Sequence, residues 1–466
     1  MGKRKPVKVI ERVEITDAGA EGKAVGKCVD KVVFVPFAVP GDVIDIRIIR
    51  DRRSYMEGRI VKFHAYSQYR TDPVCEHFGI CGGCKWQNML YEKQLEFKEK
   101  LVRDNMQRIG GVHTPEPLKI IPADQVFHYR SKMEYTFLKR IWLTKEEISD
   151  EVEKPGGVGL HIPGRFDKIL DVRKCHLQSE PSNAIRNALR EYALEHNLSF
   201  YDNKKHEGFL RNVIIRNTGS GQWMVIMVFG YENDKKIAAV MDFLNQKFPG
   251  LDSLLYVINE KKNDIITDLK VRLFRGEPFI TEEMDGLKFR IGPLSFFQTN
   301  YGQALMLYRI ARKFAGLAGS ETVYDLYTGT GTIANYLAQH CRHVVGIDNV
   351  SQAIGDAREN SRINGIENTD FFAGEIEKIL DRDFTDKNGI PEVLVADPPR
   401  PGMHEKVIQQ ILRVTPSRIV YVSCNPATQA RDLKMLAEKY RVEALQPVDM
   451  FPHTQHVENV ALLKLI

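Results

Sequence analysis

From Val7 to about Phe63, apolar and polar residues alternate over short runs broken by turns: Val32-Val33-Phe34-Val35, then Pro40-Gly41-Asp42, then Val43-Ile44-Asp45-Ile46-Arg47-Ile48. Period-two alternation between turn residues predicts strands. Several in succession predict a small β-barrel of oligonucleotide-binding type. An amphipathic stretch from about Tyr91 to Ile109 reads as a helix stopped by Gly110-Gly111. Between 115 and 290, strand-like runs (133–138, 213–216, 223–229) mix with helical ones (182–195, 234–248), which predicts an α+β domain. From about Ser295 the pattern changes to apolar strands alternating with helices, the mark of a doubly wound α/β sheet. Strands are expected at 322–326, 343–347, 393–396, 418–422 and 459–465. The last has no helix after it, so it is expected to pair antiparallel at a sheet edge. Three domains follow, at 1–65, 66–290 and 291–466, with the helix near 91–110 packing on the third.

Composition supports this division. The 466 residues, 43% hydrophobic and 27% charged, suffice for two or three cores and exclude disorder or a fibrous repeat. No apolar run approaches the roughly 20 residues that cross a bilayer. Met1-Gly2-Lys3-Arg4-Lys5 leads into strand-like sequence rather than a signal-peptide core, so a cytoplasmic monomer without membrane attachment is expected. The net charge is +5, but residues 1–70 hold 15 Lys and Arg against 9 Asp and Glu. A local basic excess is a candidate surface for a polyanion; a solubilising face is the competing reading.

In Tyr324-Asp325-Leu326-Tyr327-Thr328-Gly329-Thr330-Gly331-Thr332 an apolar strand hands over to a helix, and glycines there let backbone approach a ligand at the helix N-terminus. The next strand ends in Gly346-Ile347-Asp348, which puts a carboxylate where ribose hydroxyls can donate to it. A dinucleotide site would want a third glycine at Ala334, and Asp325 suits an ammonium group. S-adenosylmethionine therefore fits better than NAD, against the alternative of a tight turn required only by packing.

Asp397-Pro398-Pro399-Arg400 follows the fourth strand, and its rigid turn holds Asp397 at the carboxyl rim of the sheet. Methyltransferases acting on amino groups carry an aromatic residue where Arg400 stands, so that chemistry is disfavoured. Cys424, one residue past an apolar strand and beside Asn425-Pro426, is expected at the same rim as a nucleophile; a buried structural cysteine is the alternative. If the final strand is antiparallel, Glu458 starts it at that rim and faces Cys424. Cys75, Cys81 and Cys84 fall within ten residues, and Cys175 is the plausible fourth thiolate; four thiolates suit either an iron–sulfur cluster or structural zinc.

At these residues the chain resembles the RNA uracil-5-methyltransferases, in particular those acting on 23S rRNA. The resemblance rests on a TRAM-like N-terminal module, Cys75-x5-Cys81-Gly82-Gly83-Cys84, Phe297-Gln298-Thr299-Asn300, Asp325 to Gly331, Asp397 to Arg400, Ser423 to Pro426, and Asp449 to Thr454 with His456-Val457-Glu458. Tyr327, Thr328 and Asp348 stand where Phe, Cys and Glu are frequent. The resemblance implies a Rossmann-like S-adenosylmethionine-dependent domain, with Gln298, Tyr327, Asp348 and Asp397 on the cofactor. Cys424 is then the nucleophile, Glu458 the base and Asp397 a further catalytic contact. It also implies a structural [4Fe-4S] cluster on Cys75, Cys81, Cys84 and Cys175. Phe296 is expected to stack on a base, core packing being its alternative. Arg130 and Lys132, with Arg50, Arg52, Arg53 and Arg59, are the expected RNA contacts. The same chemistry on tRNA, and a non-catalytic RNA-binding or assembly protein, are the rival functions.

Overall fold

Alternation in the first 65 residues turns Val13, Ile15, Val33, Val35, Ile44 and Ile46 inward, each at most 4% exposed. Their strands are Val9–Ala18, Ala24–Cys28, Lys31–Val35, Val43–Asp51 and Tyr55–Ala65, and they close into a five-stranded barrel in the order first, second, third, fifth, fourth. The computed structural model describes residues 8–28, 31–111, 113–143, 148 and 156–466. The basic lead-in Met1 to Lys5 lies outside them.

The helix Tyr91–Asn105 continues as one wider turn, Met106–Gly110, and Gly111 closes it with a left-handed φ of 58°. It packs on the helix Pro426–Leu436 and the strand Tyr440–Val448 of the C-terminal part. A seven-stranded sheet follows, running Val271–Gly276, Ser253–Ile258, Trp223–Phe229, Leu210–Asn217, Lys132–Leu138, Gly157–Ile162, Arg165–Asp171. Met133, Tyr135 and Phe137 turn to the face covered by the helices Ser182–Glu195 and Asp234–Lys247. Of the residues on the other face, Glu134 is exposed and Lys132 and Thr136 are half-buried.

The C-terminal sheet has seven strands, in spatial order Thr369–Ala373, His343–Asp348, Thr322–Leu326, Val393–Ala396, Arg418–Ser423, Glu458–Leu465, Tyr440–Val448. The first five are parallel, and the four of them inside the sheet are buried on both faces, which explains their apolar runs. The final strand is antiparallel, but it is not at the edge. Tyr440–Val448, whose mixed sequence conceals a strand, pairs outside it and forms the edge. Thr369–Ala373, the opposite edge, was also not legible as a strand. No described helix is long and apolar enough to cross a membrane.

Candidate active site

Four parallel strands end at one rim, and the residues just past their tips form the site. After Leu326 the backbone turns through Tyr327 in a left-handed conformation, φ 62°. Thr328 N–H donates to the Ile347 carbonyl at 3.2 Å, and Gly329 N–H donates to Asp348 Oδ2 at 3.0 Å. The two glycines have different reasons. A Cβ on Gly331 would lie 2.8 Å from the Ala357 methyl, so packing requires glycine there; a Cβ on Gly329 would meet only open space, and there the left-handed φ of 55° favours glycine.

Beneath this turn Asp325 is 1% exposed. Its Oδ2 accepts from the Thr328 hydroxyl at 2.6 Å, while Oδ1 has no partner. Burial first, with the Asp397 and Asp348 carboxylates behind it, pushes the Asp325 carboxyl up to about 7. Asp397 is pushed to about 7 by burial. Carboxyls gathered around an unpaired buried oxygen await a cation. The ammonium and sulfonium groups of S-adenosylmethionine fit that demand, and a phosphate does not.

Cys424 is half-buried, one residue past the strand Arg418–Ser423, so its thiol opens to the rim instead of into the sheet. Asn425 turns the chain away by accepting from Ala427 N–H at 3.1 Å, which caps the helix Pro426–Leu436. Ser423 pairs with Asn459, so Cys424 and Glu458 are the next positions in the same antiparallel register. Glu458 is 4% exposed. Burial and Asp397 push its carboxyl up to about 8, with Arg400 opposing. Burial, then Glu458 and Asp397, push the Cys424 thiol up to about 11, again with Arg400 opposing. Arg400, seen in the sequence only as a missing aromatic, is thus the cation shared by both groups. Its carbonyl accepts from Asn425 Nδ2 and Thr428 Oγ1, each at 3.2 Å, which ties the Pro-Pro turn to the Cys424 turn.

The loop leading into Glu458 is held by side chains distant in sequence. Lys98 and Asp449 are both wholly buried, with Lys98 Nζ donating to Asp449 Oδ1 at 2.5 Å and to the Phe451 carbonyl at 3.0 Å. The Tyr91 hydroxyl donates to Asp449 Oδ2 at 2.8 Å. Gln303 holds the Asp449 carbonyl, Asn300 the Met450 carbonyl and Tyr129 the Pro452 carbonyl. Lys85 and Trp86 N–H groups donate to the His453 carbonyl, beside Cys84. A buried Lys in an amphipathic helix and an Asp at a strand end gave no sequence signal of their pairing. His456, which burial and then Arg400 hold down at about 4, is a further group near the site, quoted in the sequence only as part of a motif and given no role there.

Phe296 is 71% exposed while Phe297 beside it is in the core, so core packing does not account for Phe296. Gln298 is half-buried between them and Thr299, whose carbonyl accepts from Ser131 N–H at 2.6 Å. That bond brings the 129–132 segment to this side of the site. Arg130 donates from Nε to the Lys132 carbonyl, and its guanidinium lies 5.9 Å from the Phe451 ring centre. Burial pushes the Lys132 ammonium down.

Cys75, Cys81, Cys84 and Cys175 line one cavity of about 30 Å³, closed by Phe78, Leu160 and Leu177. Burial pushes the Cys81 thiol to about 11 and the Cys84 thiol to about 12. Among the described residues no three His, Cys, Asp or Glu side chains converge closely enough to hold a single metal ion. What the fold provides at the expected metal centre is four thiols around a shared space.

Residues 281–466 match the family described as tRNA (Uracil-5-)-methyltransferase, and residues 3–61 match the TRAM domain. A protein named as an uncharacterized RNA methyltransferase from Bacteroides thetaiotaomicron is 51% identical over 96% of this chain and 99% of its own length. One from Porphyromonas gingivalis is 50% identical over 97% and 99%. Among solved structures, Pyrococcus abyssi tRNA (uracil-54, C5)-methyltransferase in complex with S-adenosyl-L-homocysteine superposes with a TM-score of 0.74, at 30% identity, over 97% of this chain and 100% of that one. With its barrel, its seven-stranded C-terminal sheet and these matches over nearly its full length, the chain belongs to the tRNA (uracil-5-)-methyltransferase family and is an S-adenosylmethionine-dependent RNA methyltransferase with an N-terminal TRAM domain.

Proposed function

We propose that the protein methylates carbon 5 of a uridine in 23S rRNA through a covalent cysteine adduct. The observation that carries this reading is the register that sets Glu458 opposite Cys424 at the rim shared with Asp397. Carbon 5 of uracil is a poor nucleophile until carbon 6 is attacked. Cys424 Sγ, as the thiolate, bonds to carbon 6 while the 5,6 double bond opens. The enolate so formed takes the methyl at carbon 5, with S-adenosylhomocysteine as the leaving group. Glu458 then removes the proton from carbon 5, and the Sγ–C6 bond breaks to return the thiolate. S-adenosylmethionine supplies the electrophilic methyl; Gln298, Tyr327, Asp348 and Asp397 hold it, and Asp325 receives its ammonium. Asp397 also meets the uracil edge. Phe296 stacks on a base near the flipped uridine, and Arg130 and Lys132 take its flanking phosphates. The reading assigns residues 1–65 to the RNA-binding barrel, 66–290 to a central domain and 291–466 to catalysis, in a cytoplasmic monomer.

A [4Fe-4S] cluster on Cys75, Cys81, Cys84 and Cys175 belongs to the same reading. Four thiols lining one cavity are the donor set such a cluster takes, and structural zinc takes the same set. Its contribution is structural: the chain from Cys84 to Trp86 is anchored to the loop that leads to Glu458.

A second reading, the same chemistry on tRNA, is favoured by the archaeal tRNA enzyme, which aligns along its whole length. The N-terminal module therefore does not by itself select rRNA. Nucleoside mass spectrometry of 23S rRNA and tRNA from cells lacking the protein separates the two. Loss of 5-methyluridine from 23S rRNA is the expected result, loss from tRNA alone selects the second reading, and no loss from either removes both.

A further inference from the structure

A second cavity, of about 630 Å³, opens on the central sheet away from Cys424. Its volume is in the range that holds a small ligand. Phe166, 77% exposed, stands at its mouth on the hairpin joining Gly157–Ile162 to Arg165–Asp171. Arg211, 1% exposed, forms part of the wall, with its guanidinium 4.1 Å from the Tyr201 ring centre. Both Arg211 Nη atoms are taken by the carbonyls of Asn259, Lys261 and Asn263 and by Asp264, yet Nε has no partner. His161 Nδ1 and Asn203 Oδ1 in the same wall are also buried and unpartnered. Unpaired buried polar atoms are uncommon, and each wants an explanation. Three occur in residues that line this cavity: a donor, an acceptor and an imidazole nitrogen. Lys262, at the mouth, makes no ion pair among the described residues, whereas Arg165 is paired with Asp167.

The cavity lies on the same strand as Lys132, one of the expected RNA contacts. Thr136, in its wall, shares one face of that strand with Glu134 and Lys132, and Lys132 lies four residues away, roughly 13 Å along an extended chain. We propose that this cavity is an auxiliary nucleotide pocket. It takes an unpaired nucleotide of the same RNA whose uridine is modified, with the base stacked on Phe166, its edge read by Asn203, His161 and Arg211, and its phosphate near Lys262. The proposal rests on RNA being the substrate and not on which RNA it is.

Methyl transfer to 23S rRNA and to tRNA extracted from cells lacking the protein tests it, comparing the native chain with Phe166→Ala and Lys262→Glu. Loss of one base stack is expected to raise KM for RNA by about 10-fold in Phe166→Ala with kcat unchanged. Lys262→Glu is expected to lower the slope of log KM against log salt by about 1. Unchanged KM and slope, in variants that still bind S-adenosylhomocysteine by calorimetry, overturn the pocket. Photocrosslinking of the native chain to 4-thiouridine-substituted RNA needs no variant: adducts on residues 161–166 or 201–206 are expected, and their absence overturns it too. If AMP or UMP binds the native chain and not Phe166→Ala while KM for RNA stays constant, the pocket serves a free nucleotide and the proposal fails. A native chain that methylates neither RNA overturns the proposed function instead.

Discussion

Cys424 and Glu458, 34 residues apart in the chain, are consecutive to the pair Ser423 and Asn459 in one antiparallel register, so the thiol and the carboxyl leave adjacent strands at the same rim. Burial of Glu458 and partial burial of Cys424, with the Asp397 carboxylate beside both, raise each pKa and couple their chemistry.

Glu458→Gln is expected to stop the reaction after methyl transfer. Removing a general base costs about 10²–10⁴ in turnover, and a Cys424-linked methylated RNA should accumulate, visible as a slow band on a denaturing gel. Cys424→Ala should give neither turnover nor band. Lost turnover in Glu458→Gln without any band removes Glu458 from proton abstraction.

The thiol predicts a second result. With Cys424 pushed up to about 11, iodoacetamide should alkylate it slowly at neutral pH and faster as pH rises toward that value. Above about pH 8 the ionised Glu458 is one cause of the rise. Glu458→Gln removes that charge, so its alkylation curve should shift to lower pH. A curve unmoved by the substitution means that the two groups do not interact.

Folding stability should depend on pH in the sense opposite to a salt-bridged acid. Glu458 titrates at about 8 in the folded chain against an ordinary 4.5, and Asp397 at about 7 against 3.8. Between these limits the folded state keeps protons that the unfolded state has released, so stability falls as pH rises through the window. Asp397→Asn and Glu458→Gln should therefore raise the melting temperature more at pH 8 than at pH 4.5. Equal shifts at both values contradict the burial of these carboxyls.

Lys98→Met should destabilise by about 3–5 kcal/mol, because it leaves Asp449 buried and unpaired. Lys98→Met with Asp449→Leu should recover much of that loss. Denaturation followed by the fluorescence of buried Trp86, next to the same loop, reads both. A single variant as stable as the native chain means that the pair does not hold the loop.

Anaerobically purified protein should contain about four iron atoms per chain if a cubane cluster occupies the thiol-lined cavity. Cys175→Ala should lower that content, measured by iron assay with the visible absorbance band. One zinc per chain in place of iron assigns the thiols to an ion site.

The sequence alone specified much of this protein, because the decisive signals were local. Alternation marked the barrel, apolar runs marked four of the five parallel strands, and Gly346-Ile347-Asp348, Pro398-Pro399 and Asn425-Pro426 marked the strand ends that present Asp348, Asp397 and Cys424. A residue just past a buried parallel strand has only one rim to occupy, so those three were placed by chain geometry. Tertiary structure decided what depends on pairing between distant segments. Tyr440–Val448 lacks the apolar run of its neighbours because it is an edge, and it displaced the final strand inward. The Lys98–Asp449 pair exists only because a helix from residue 91 packs on the last hairpin, and Arg400 bears on Cys424 and Glu458 only because the Pro-Pro turn is tied to the Cys424 turn. No periodicity encodes such a meeting; it is created when separate segments bury one another.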